Sequence, residues 1–294
     1  MDKRYRILFP SQPYNLKQVD EAYEPEANIC KLIGIEYYLF DYDTFVETGM
    51  INNTINVNDY YTLIYRGWML KPAQYKDLSD FIAAKTKFNI FLINNTWEYI
   101  NCHCFPYAYK VLNQWTPRII ELQNWGDIYT TDIDFDFFIK DNVKSDKSIN
   151  GVERISKNIY KDELVDKIAM FVKARGKLFT GNIVLKEFIP LKKIDGKTNE
   201  WRVFYLNGKF LTYFQNSYLK TTEHPPFKLI KDLGKNLYSM SNFFTVDFAL
   251  TEDNDWIVIE TGDGQVSGLP TGEELAFYNK LLNKKEIWRS ITNY

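Results

Sequence analysis

Residues 256–270 read WIVIETGDGQVSGLP, and residues 243–250 just upstream read FFTVDFAL. Two apolar runs rich in β-branched and aromatic residues flank the polar turn Thr251-Glu252-Asp253-Asn254-Asp255, which is the pattern of a β-hairpin. If residues 252–255 form the loop and residues 251 and 256 pair, Asp247 falls directly opposite Glu260. Carboxylates facing each other across an antiparallel ladder repel, so the arrangement calls for a compensating cation or basic side chain. Oxygen ligands of this kind suit Mg²⁺, which is held by one or two carboxylates together with substrate phosphates. The plainer alternative is two acids at the wet end of a hairpin, salt-bridged to lysines, and the hairpin alone leaves both open.

Antiparallel signals continue upstream. Residues 135–140 alternate so that Asp136, Phe138 and Lys140 share one face, with Lys144 in the polar loop that follows. Residues 161–175 carry Leu164, Ile168, Phe171 and Val172 at helical spacing and stop at Gly176. Residues 182–189 form a strand containing Lys186 and Glu187, closed by Pro190. Asn207-Gly208 is a type I′ turn signal between arms at 201–206 and 209–215, because both central residues tolerate positive φ. Glu200 and Arg202 then point to one face. Residues 217–242 are polar and weakly patterned, the signature of a loop acting as an active-site lid. Residues 272–282 read as a closing helix.

The N-terminal half alternates differently. Strands at 5–9, 36–40, 62–65 and 89–93 are separated by helical patterns at 26–32 and 72–84, which predicts a small parallel α/β layer with its ligands beyond the carboxyl ends of the strands. Arg66 stands at such an end beside Gly67 and is a candidate anion contact, a local salt bridge being the alternative. The connection Gln114-Trp115-Thr116-Pro117 suggests a boundary, giving an N-terminal α/β domain at 1–112 and a second domain at 113–294.

Composition narrows the function class. Of 294 residues, 45% are hydrophobic and 25% charged, and the net charge of −2 gives no general attraction to nucleic acid or anionic membrane. Nucleic acid and membrane are therefore not expected partners. No apolar run approaches the roughly 18 residues of a spanning helix, and residues 1–10 lack a signal-peptide core, so a cytoplasmic protein is the expectation. Cys102-His103-Cys104 lacks the second ligand pair that zinc requires, His224 being the only other histidine. A Cys-His nucleophile is also disfavoured if these neighbours lie on a strand and point to opposite faces.

Taken in order, FFIKDNVKS at 137–145, VLKEFIP at 184–190, EWRVFYLNGK at 200–209, FFTVDFAL at 243–250 and VIETGDGQVSGLP at 258–270 resemble the ATP-grasp superfamily. They are closest to a phage- and bacteria-associated clade marked by an arginine and two lysines. IYRGWML at 64–70 and LINNTWEYINCHCFPYAYKVL at 92–112 look like the N-terminal half of the same clade. The resemblance implies two α+β subdomains sandwiching ATP, preceded by a small α/β domain that completes the substrate cleft. It places Lys140 on the ATP phosphates and Lys186 on the adenine and α-phosphate side. Glu187, Phe188 and Ile189 become the hinge strand that holds the adenine edge. Arg202 faces the transferred phosphoryl group with Glu200 orienting it, and Asp247 and Glu260 hold one or two Mg²⁺ ions. Arg66 and Lys144 neutralise substrate or γ-phosphate charge.

The chain departs from that pattern at one position. The usual ending is Glu-x-Asn, and Gly262 stands where the asparagine would ligate metal. Asp263, the next residue, is the candidate substitute. The implied chemistry is ATP-dependent joining of a carboxylate to an amine through an acyl phosphate, which requires neither histidine nor cysteine. A phosphotransferase, or a nucleotide-binding protein without turnover, stays open beside it. The carboxylate and amine are unspecified, a peptide or protein being one candidate, with Arg66, Trp68 and Lys71 expected to set specificity.

Overall fold

The structure is a computed structural model that describes residues 5–56, 60–144, 154–215, 219 and 221–282. Its first layer is a sheet in which β1 (Tyr5–Gln12) lies between β3 (Tyr37–Phe40) and β4 (Tyr61–Tyr65), with β5 (Ile90–Leu92) beyond β4. These four strands are parallel, and β2 (Asn15–Val19) adds an antiparallel return on the end of β1. Residues 7–11 of β1 are all buried, as expected for a central parallel strand covered on both faces. The crossovers are α1 (Glu24–Leu32), α2 (Tyr42–Thr48) and α3 (Pro72–Lys85).

Next come α4 (Thr96–His103) and α5 (Phe105–Leu112). Cys102, His103 and Cys104 thus sit at the joint of two helices, where all three are buried; the strand geometry assumed from sequence does not apply. Cys102, Ala108 and Leu112 share a core with Val203, Phe244, Val246 and Val258 of the C-terminal half. A second core joins Ile7, Phe9 and Ile64 to Phe204, Phe243 and Phe277. The chain boundary expected at 112 is therefore not a boundary of packing.

An antiparallel sheet β6-β8-β7 is formed by β6 (Ile119–Leu122), β7 (Phe137–Lys140) and β8 (Ile183–Glu187). It is covered by α6 (Asp127–Thr130) and α7 (Lys161–Arg175). After the short pair β9 (Lys193–Ile194) and β10 (Lys197–Thr198) comes the sheet β12-β11-β13-β14, from β11 (Glu200–Leu206), β12 (Lys209–Gln215), β13 (Phe243–Leu250) and β14 (Trp256–Asp263). Asn207 and Gly208 have φ of 50° and 69°, the positive values that the turn requires. The chain closes with α9 (Glu274–Leu281).

Residues 227–237, expected inside a lid loop, instead form α8 (Phe227–Leu237), whose Ile230, Leu233 and Leu237 are buried on the sheet. A Cβ on Gly234 would lie 2.6 Å from the Gly208 carbonyl oxygen, so the helix meets the β11–β12 turn backbone to backbone. Within the β13–β14 hairpin, Asp247 pairs with Glu260 as expected. The route to that register differs, because Trp256 pairs with Leu250 rather than Thr251. An extra residue, Ile259, bulges out between the Glu260 and Val258 pairings and restores it. Among the described residues no helix is long and apolar enough to cross a membrane.

Candidate active site

The two antiparallel sheets face each other across a cleft of about 960 Å³, within the size range of small-molecule sites. From β7 and the loop after it come Lys140 and Lys144, from β8 Lys186, from β11 Arg202, and from the hairpin Asp247 and Glu260. Lys144 Nζ lies 3.0 Å from Glu260 Oε2, and Lys140 Nζ lies 3.5 Å from Oε1. Burial alone would raise the Glu260 carboxyl, but Lys144 and Lys140 beside it hold it well below the usual carboxylate range.

Lys186 donates to the carbonyl oxygen of Ile259, the residue that the bulge removes from the ladder, and stands 3.9 Å from the Phe105 ring centroid. Lys140 sits over the same ring at 4.9 Å. Burial pulls both ammonium groups below their ordinary range, Lys186 the further of the two. On the other side of the cleft, Arg202 Nε and one terminal nitrogen form a two-pronged pair with Asp247 at 2.9 and 2.7 Å. Asp247 keeps the guanidinium charged against the pull of its burial.

A smaller pocket of about 280 Å³ adjoins the cleft and shares Lys144, Arg202, Asp247 and Glu260 with it. Its far wall comes from the N-terminal domain through Tyr23, Trp68 and Met69. A wide cleft lined by cations and a paired-carboxylate strip, opening past one arginine into a second pocket, can hold a polyanion beside a second substrate.

Residues 121–289, more than half of the chain, match the ATP-grasp domain model for family 3 of the clade named for one arginine and two lysines. The chain belongs to that clade of the ATP-grasp family. No curated protein matches it by sequence. Solved structures share its fold at low identity. The macrocyclase MdnC of Microcystis aeruginosa MRC, bound with the precursor peptide MdnA, is 13% identical at a TM-score of 0.57, over 95% of this chain and 99% of that one. The D-cycloserine synthetase DcsG is 12% identical at a TM-score of 0.57, over 95% and 99%. The N5-carboxyaminoimidazole synthetase of Staphylococcus aureus is 11% identical at a TM-score of 0.56, over 96% and 78%.

Within this ATP-grasp fold, several residues singled out from sequence stand elsewhere. Arg66 is only 1% exposed. It forms a two-pronged pair with Glu26 at 2.8 and 2.9 Å and donates to the carbonyls of Gly264, Gln265 and Ser267. Its guanidinium is spent on clamping the loop after β14, which corrects the expectation that it meets a substrate anion. Asp263 is fully buried and points away from Asp247 and Glu260, accepting from Asn94, from the Gln265 backbone N–H and from the Gln265 amide. The Phe244–Asp263 pairing puts it on the opposite strand face, so it does not replace the missing asparagine. Among the described residues no three His, Cys, Asp or Glu side chains converge as a metal site.

Glu200 accepts from Thr198 at 2.6 Å, and the orienting of Arg202 expected from it falls to Asp247. Glu187 turns its side chain away to pair with Arg118. The Phe188 N–H donates to Asp136, whereas the Ile189 backbone has no protein hydrogen bond among the described residues and lines the cleft. Lys71 is exposed outside both pockets, and Trp68 alone of the three expected specificity residues offers its side chain to the smaller one.

Sequence reading missed three contributors. Phe105 is the floor beneath two lysines, and nothing in its local pattern marks it. His103 lines the smaller pocket and stays neutral, because burial and the nearby Lys144 push it down to about 3. Thr245 and Ser267 hydroxyls lie 2.8 Å apart, and each would be 2.9 Å from a Cβ on Gly262. The side chain absent at 262 is thus answered by two hydroxyl groups in its space.

Proposed function

We propose that this protein is an ATP-dependent carboxylate–amine ligase of the ATP-grasp type that works through an acyl phosphate with Mg²⁺. The observation that carries this reading is the convergence of four cations on two carboxylates at the junction of the two pockets. The net excess of two positive charges there suits a metal-bound triphosphate. Asp247 and Glu260 are hard oxygen donors of the kind Mg²⁺ takes, and both are held by protein cations that phosphate groups can draw off.

In this reading ATP supplies the γ-phosphoryl group, and Mg²⁺ neutralises charge on the phosphates. Lys140 and Lys144 turn from Glu260 to the phosphate oxygens, and Lys186 faces the α-phosphate side. The free Ile189 backbone groups, with Glu187 and Phe188 beside them, hold the adenine edge. Arg202 stands at the passage between pockets, where it binds the substrate carboxylate as it attacks phosphorus and stabilises the charge that builds on the transferred group. Phosphoryl transfer asks the protein for positioning and fixed charge rather than covalent chemistry. An amine entering by the smaller pocket displaces phosphate and leaves an amide. The peptide-bound structures of MdnC and of the ATP-grasp ligase PsnB support a peptide as one candidate substrate.

The test is a carboxylate panel incubated with ATP, Mg²⁺ and hydroxylamine. A ligase gives an acyl hydroxamate and ADP in equal amounts, and R202M abolishes both. ADP formed with a phosphorylated hydroxyl product and no hydroxamate identifies a phosphotransferase instead.

A further inference from the structure

The smaller pocket is electrically polarised. At its inner end stand Arg202 and Lys144. The cation on its far wall is silent, because both prongs of Glu26 neutralise Arg66. At the rim, Asp20 accepts the indole N–H of Trp68 at 3.0 Å, and no lysine or arginine pairs with Asp20 among the described residues. Tyr23 meets Trp68 edge to face at 5.4 Å, while Trp68 keeps 44% of its surface exposed. An exposed indole, a second aromatic ring and an uncompensated carboxylate together form a seat for an organic cation, since ring faces and carboxylate attract the same charge. His103, the remaining titratable group of the wall, adds no charge, being neutral.

We propose that the carboxylate substrate carries a positively charged group, an amine or a guanidinium, at the end remote from the reacting carboxylate, and that Trp68, Tyr23 and Asp20 bind it. The inference rests on the ligase reading in that Arg202 receives the carboxylate. The pocket volume of about 280 Å³ equals roughly nine waters at about 30 Å³ each, room for a short chain between the two charges. An ω-amino acid, or a lysine or arginine side chain next to a chain-terminal carboxylate, has this shape. A purely apolar acid leaves the rim carboxylate unanswered, and a second acidic group is repelled by it.

Ligand-observed NMR titration of 6-aminohexanoate against hexanoate tests the idea, with ATP titrated separately into the same preparations. The amino acid is expected to bind at least tenfold more tightly than hexanoate, and D20N and W68A each to remove most of that preference without changing the thermal midpoint. Equal affinity for the two ligands, binding of neither, or a preference that survives D20N overturns the inference. Failure of the ligase reading looks different: ATP does not bind, whatever the small acids do.

Discussion

Asp247 and Glu260 stand directly opposite each other on β13 and β14, yet each carboxylate is answered by a different cation, Asp247 by Arg202 and Glu260 by Lys144 and Lys140. The like-charge repulsion that the register imposes is thereby removed without a metal. Phosphates and Mg²⁺ can enter this arrangement only as partners, the anion releasing the lysines as the metal takes the carboxylates. Mg²⁺ alone is expected to bind at least tenfold more weakly than Mg²⁺ with ATP, and by linkage ATP gains the same factor from the metal. Calorimetric titrations with each ligand alone and together check this, and the double variant D247N/E260Q should lose the coupling. Equal Mg²⁺ affinity with and without ATP would contradict it.

Lys186 offers a prediction of opposite sign for fold and function. Its ammonium is buried, and its contacts are a carbonyl oxygen and a ring rather than a carboxylate. A buried charge without a paired anion costs stability, so K186M is expected to raise the unfolding free energy by about 1 kcal/mol or more. The same change should weaken ATP binding by tenfold or more, because it removes a phosphate-side cation. Denaturant melts and ATP titration on one preparation read both effects. A destabilised K186M protein would show that the ammonium supports the fold.

Arg66 behaves in the contrary way. Removing one member of a buried pair leaves the other charged and unanswered, at a cost of roughly 3–5 kcal/mol. R66M and E26Q are each expected to lower stability by about that much, and the double variant R66M/E26Q by less than the sum. R66K keeps the charge but loses the fork that spans Glu26 and three carbonyls, so it should rescue little. Chemical denaturation measures all four.

How far the site was legible follows from the reach of each signal. The hairpin register was readable because alternation and turn composition are local, and the bulge at Ile259 happened to offset a loop one residue longer than expected. Lys140, Lys144, Lys186 and Arg202 reached one cleft because order along the chain matches order in a known family. The apolar spacing of Leu229, Ile230, Leu233 and Leu237 was present in the chain, but the Pro225-Pro226 start and the lysines between disguised the helix. The partners of Arg66 and Asp263 lie 40 and 169 residues away, and no local pattern reports contacts at that distance. Phe105 was hidden for the same reason.

Two buried titrations should oppose each other. Burial pushes the Asp263 carboxyl up to about 7, against three N–H donors that favour its ionised form. A raised acid binds its proton more tightly folded than unfolded, so this group costs stability as pH rises from about 4 to about 7. Burial, with Lys144 nearby, pushes His103 down to about 3. That group contributes stability present above the unfolded value near 6.5 and lost as pH falls toward 3. H103Q should therefore lose stability relative to wild type as pH rises through 4–6.5, and D263N should gain it, each with a slope approaching about 1.4 kcal/mol per pH unit. Denaturation midpoints at pH 4, 5, 6 and 7 give the slopes, and parallel curves for all three proteins would sink the prediction.

Gly262 bears on how many ions the site holds. Asp247 and Glu260 face the junction, Asp263 faces Asn94, and the Thr245 and Ser267 hydroxyls fill the space beside Gly262, so the carboxylate set is complete for one ion and short for a second. Mn²⁺ titrated into the ATP complex and followed by electron paramagnetic resonance is expected to show one tight ion per chain. G262N does not restore a second site, because its Cβ arrives 2.9 Å from both hydroxyls. That overpacking should cost about 1–3 kcal/mol. G262N combined with S267G and T245S opens the space and is expected to recover part of the loss. Two tight Mn²⁺ ions in the wild type would mean that oxygen donors other than Asp247 and Glu260 complete the set, and would return Gly262 to a purely steric role.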